Sequence, residues 1–106
     1  MATPALASPA PTGTITLDQA DPHAGDIVTF TVTLDRRVNG SLANYLSCAN
    51  GWLDYQAIGQ PFVLGWPDGG ATDCYVDLVY YTRGHDGVLR YSTEVADVDF
   101  HVGAAP

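Results

Sequence analysis

Two stretches of the chain alternate with the period of a strand, and any fold must accommodate them. Residues 26–35 read DIVTFTVTLD, with Val28, Phe30, Val32 and Leu34 on one parity and Thr29, Thr31 and Thr33 on the other. Residues 73–81 read DCYVDLVYY, with Cys74, Val76, Leu78 and Tyr80 set against Asp73, Tyr75, Asp77, Val79 and Tyr81. Successive side chains of a strand point to opposite faces, so each stretch has one oily face and one mixed face. The oily faces require a shared interior. The mixed face of 73–81 poses the functional question, because tyrosines and a valine broken by acids must meet solvent, a ligand or another protein.

The rest of the chain is punctuated in the same style. Residues 13–19, GTITLDQ, read as a short edge strand, and ADPHAGD turns the chain. RRVNGS turns it again, with Asn39-Gly40 at the tip. In LANYLSCA, Leu42, Leu46 and Cys48 share a parity, and Asn50-Gly51 is the next turn. WLDYQAIG and PFVLGW are shorter strand-like pieces, followed by the loop WPDGGATD. TRGHDG forms a hairpin tip around Asp86-Gly87. In the last stretch the inward parity switches from Leu89, Tyr91 and Val95 to Ala96, Val98, Phe100 and Val102, which predicts a β-bulge near Val95-Ala96. No window has helical periodicity. The expectation is an all-β, two-sheet β-sandwich of about seven strands over residues 13–103. It is preceded by a Pro/Ala-rich extended arm, 1–12, and followed by a short tail, 104–106.

Length and charge narrow the functions. The chain has 106 residues, 46% of them hydrophobic, which suits one domain with a packed core. Its formal net charge is −8, so phosphate backbones and anionic membranes are repelled. No stretch has the length of a membrane span. The N-terminus lacks the basic and apolar regions of a secretion signal. Release by lysis, or export as part of something larger, is therefore expected unless a signal has been removed.

Reactive chemistry is sparse. His23 and His85 fall in turns and His101 on an outward parity, and no nucleophile, zinc or phosphate-loop motif occurs. No enzyme activity, cofactor or metal is expected. Asp97 and Asp99 share a strand face, but a calcium cage would need Asp54, Asp68 or Asp73 to converge on them. Cys48 and Cys74 are either bridged or two buried thiols. The aromatics say more. Trp52, Tyr55 and Trp66, if coplanar and exposed, are sugar-stacking candidates. Tyr75, Val79 and Tyr81, with the threonines of other strands, form a face suited to protein contact. The arm residues Pro4, Leu6, Pro9 and Pro11 are candidates for lying along the same partner.

The stretches GDIVTFTVTL, GGATDCYVDLVYY and DFHV, with a Cys-bearing strand between, resemble immunoglobulin-like domains. More narrowly, they resemble the small Ig-like proteins encoded among the virion genes of tailed phages of actinobacteria. Gly69, Gly70, Ala71, Cys74, Leu78, Tyr80, Phe100 and Val102 carry the resemblance, which spans residues 13–103. It implies an Ig-like Greek-key sandwich that decorates a capsid or tail. The implied partner is a capsid or tail protein, with self-association in a symmetric assembly and a host surface glycan as further partners, and the implied location is the virion. A carbohydrate-binding or adhesion module is the alternative function, and a secreted bacterial Ig-like domain a third. One departure stands out: antibody-type domains place a Cys on the second strand, and DIVTFTVTL has none. A Cys48–Cys74 bridge would join adjacent strands of one sheet or clip a loop.

Overall fold

The DIVTFTVTLD stretch is extended, but it serves two neighbours in turn. In the computed structural model, which describes residues 11–38 and 40–106, it divides at Thr29 into β2 (Ile27–Val28) and β3 (Phe30–Leu34). β3 pairs antiparallel with β1 (Gly13–Leu17), and β2 with β6 (Phe62–Val63). The remaining strands are β4 (Ser41–Cys48), β5 (Leu53–Ala57), β7 (Thr72–Arg83) and β8 (Leu89–Val102). They form one antiparallel sheet in the order β5-β4-β7-β8. The described residues thus form an all-β fold of several antiparallel sheets, compatible with a β-sandwich. Pro4, Leu6 and Pro9 of the expected arm, and Asn39 of the expected turn tip, lie outside the described residues.

One core joins the sheets. Ile15, Val28, Phe30 and Phe62 come from the small sheets, and Leu46, Val76, Leu78 and Val102 from the large one. Phe30 meets Phe62 edge-on at 5.7 Å and Phe100 at 5.6 Å. Fully burying such side chains stabilises by about 1.5–3 kcal/mol each. Cys48 and Cys74 are directly opposed in the β4–β7 ladder and form a disulfide. The bond therefore links adjacent strands of a single sheet, on its buried face.

The bulge expected near Val95-Ala96 is present. Leu78 pairs with Ala96 and Val79 with Glu94, leaving Val95 as the extra residue. Two other expectations need correction. Leu89 does not face inward: a second register shift, at Thr82/Arg83, sets it opposite outward Arg83, and Tyr91, though on the face of Tyr80 and meeting its ring at 6.2 Å, is exposed as well. The reason is length: β4 begins opposite Tyr81, so the end of the β7–β8 hairpin overhangs the sheet, with no described strand beside it. The strand threonines also do not join the tyrosine face. They belong to the other layer, where Thr29 and Thr31 hydrogen-bond the Asp18 carboxylate.

Candidate docking face

Alternation and the bulge together build the outer face of the four-stranded sheet. Register places Tyr55, Tyr45, Asp77 and Asp97 in one row across all four strands. The neighbouring rows hold Leu53, Ser47, Tyr75 and Asp99 on one side, and Ala57, Ala43, Val79 and Glu94 on the other. Tyr81 continues the face toward the hairpin. Tyr45 and Tyr55 stack as a cross-strand pair, centroids 5.7 Å apart and planes 22° apart. Such a pair is worth about 0.5–1.5 kcal/mol beyond its burial. Both rings nonetheless stay open to solvent, at 44% and 66%, with Leu53 beside them at 75%.

Two shallow grooves flank Tyr45. One, of about 370 Å³, runs between Tyr45, Leu53, Tyr55 and Asp77. The other, of about 280 Å³, is lined by Tyr45, Val79, Tyr81 and Leu89, with Arg83 set over the Tyr81 ring at 5.5 Å. Of the residues expected on this face, Tyr75, Val79 and Tyr81 share it and are half-buried by their neighbours. Pro11, the one described arm residue among the candidates, is buried.

Acids crowd the β8 side of the face. The carboxylates of Asp77, Glu94 and Asp97 lie within 4.8 Å of one another. Tyr75 donates its hydroxyl proton to Asp77 and stands 3.3 Å from Glu94. A shared hydrogen bond with Asp97, then one with Asp77, favours the neutral form of Glu94 and pushes its pKa up to about 7. The bond to Asp77 likewise holds the Tyr75 phenol above its usual range. These carboxylates are the oxygen donors a hard cation would use, though few for calcium. They are not the set anticipated from sequence. Glu94 and Asp97 are three apart and would oppose each other in a regular strand; the extra residue Val95 turns both outward.

The sugar-stacking candidates do not converge. Trp66 is buried and donates its indole N–H to the Gly70 carbonyl at 2.7 Å. Trp52 is half-buried and meets Trp66 edge-on at 5.8 Å, while Tyr55 stands apart on the sheet face. The histidines are exposed; His101 contacts Asp73 at 2.7 Å. Tyr45 and Leu53 were missing from the sequence-derived candidates, although parity marks Tyr45: Leu42, Leu46 and Cys48 point inward, so it points out. Comparison of the chain with protein-family models, curated proteins and solved structures finds no match.

Proposed function

We propose that the chain is a non-enzymatic, Ig-like structural module of a tailed-phage virion, attached to a capsid or tail protein through the outer face of its four-stranded sheet. The observation that carries the attachment reading is the uncovered Tyr45–Tyr55 pair with Leu53 beside it. Tyrosines on a rigid sheet supply large contact area at low entropic loss, which is the chemistry of interface anchors. The virion setting rests on the sequence resemblance. The arm and the sheet face would grip the same partner.

Cosedimentation tests the reading. The folded chain should pellet with purified particles of the phage that encodes it, at a saturable stoichiometry. Tyr45→Ala/Tyr55→Ala should weaken this at least tenfold without lowering the melting temperature by more than a few degrees. Full-strength binding by that double variant, or no binding by the parent chain, would refute it. The alternative, a carbohydrate-binding module, draws on the same exposed ring pair. Saturable quenching of tyrosine fluorescence by host wall polysaccharide, with no particle binding, would favour it instead.

A further inference from the structure

We propose that copies of this chain associate head to tail, the β7–β8 hairpin tip of one seated against the acidic concave end of the next. The first support is a separation of charge. The chain has four basic side chains, and all lie in two segments: Arg36 and Arg37 between β3 and β4, and Arg83 and Arg90 on the hairpin. These segments are neighbours. Gly40 lies so close to the Tyr80 ring and the Tyr81 carbonyl that any side chain there would collide with them. Only Asp35 and Asp86, of the chain's 12 acids, belong to the same end, where they pair with Arg36 and Arg90 at 3.0 Å. A molecule of net charge −8 therefore has one positive end and a strongly negative remainder.

Shape is the second support. The hairpin tip overhangs the sheet and is braced by Arg83, which donates to the Gly87 carbonyl at 2.9 Å. Between its two arginines it presents Val88 and Leu89, each about half exposed. At the other end of β7, roughly 36 Å away at strand rise, the surface is concave. A cavity of about 510 Å³ is lined by Asp21, His23, Phe100 and His101 among others. A second, of about 390 Å³, adjoins it through Phe100 and His101 and adds Asp73 and Asp99. Neither is lined by any arginine. A protruding basic tip with an apolar crown thus faces, in the next copy, an acidic hollow with an aromatic wall. One sequence holds both halves of the contact, so the occupant is a second copy. Because the two surfaces differ, two copies do not close the contact, and the assembly propagates as a ring or filament. It uses neither Tyr45 nor Tyr55, although its tip shares Arg83 and Leu89, and its hollow Asp99, with the margins of the proposed docking face.

Sedimentation velocity of the full chain, without particles, tests this. At low salt the average mass should rise with concentration above the 11.2 kDa of the monomer, passing the dimer without a plateau, and high salt should reverse it. Arg83→Glu/Arg90→Glu should stay monomeric, as should Asp73→Arg/Asp99→Arg. An equal mixture of the two variants should associate again, because each junction then regains opposite charges. All four positions are exposed, and melting curves check that the variants fold. A parent chain that stays monomeric at low salt overturns the proposal, as does a mass that stops at the dimer. So does either variant self-associating like the parent. Particle docking is scored separately, by cosedimentation at high salt, where self-association is reversed, and through Tyr45→Ala/Tyr55→Ala, which leaves both halves of this contact in place.

Discussion

Alternate residues of β7 live under different rules. Cys74, Val76, Leu78 and Tyr80 face the core and are 3% exposed or less. Tyr75, Asp77, Val79 and Tyr81 face outward and are covered only by one another and by the adjacent strands. Inside, a side chain is chosen by volume and by its lack of unpaired polar atoms. Outside, it is chosen by what it offers to water or to a partner. On a single strand, then, the residues that hold the fold together and those free to serve the surface lie one position apart.

The largest expected effect breaks the contrast directly. Leu78→Asp puts an unpaired carboxylate in the core and should cost more than about 4 kcal/mol, leaving no cooperative thermal transition. Val79→Thr, the next residue but on the outer face, should cost no more than about 1 kcal/mol. Equal melting temperatures would erase the distinction. Next in size is the disulfide on the inner face. Its 26-residue separation predicts a stabilisation of roughly 3 kcal/mol, so reductant should lower the melting temperature by on the order of 15 °C.

A third prediction sharpens the rule for the inside, because Asn44 departs from it. Asn44 is 1% exposed, on the inward parity of β4, and among the described residues neither its amide nitrogen nor its oxygen has a partner. Leaving such a group unpaired is unfavourable by about 1–3 kcal/mol. Asn44→Val should therefore raise the urea midpoint by the equivalent of about 1 kcal/mol at unchanged slope. The smallest effect lies outside. Glu94 holds its proton more tightly in the folded chain than its ordinary value of 4.5 allows in the unfolded one. That contribution to stability is complete below pH 4.5 and is lost as pH rises through about 7. Stability should thus decline slightly from pH 4.5 to 8, and Glu94→Gln should flatten the decline in a series of melting curves. Exposure to solvent keeps it small.

Strand parity and turn chemistry made much of this legible. The inward set of β7, the Asp86-Gly87 turn and the bulge at Val95 follow from spacing, since a half-buried strand has a period of two and an inserted residue resets it. Asp86-Gly87 turns because Gly87 takes a left-handed φ of +78°. The proposed docking face was only half legible. Tyr75, Val79 and Tyr81 were readable from their own strand, whereas Tyr45, Leu53 and Glu94 join them through cross-strand register.

Sequence alone determined which residues of each strand are oily, where the chain turns, and that its few positive charges sit in two short segments. Tertiary structure decided what those facts amount to. It chose which strands are neighbours, how far the β7–β8 hairpin outruns β4, and that both arginine segments end up together. The reason is that backbone pairing is formed between residues distant along the chain, and its register is fixed by burying every oily face at once. No single strand carries that information.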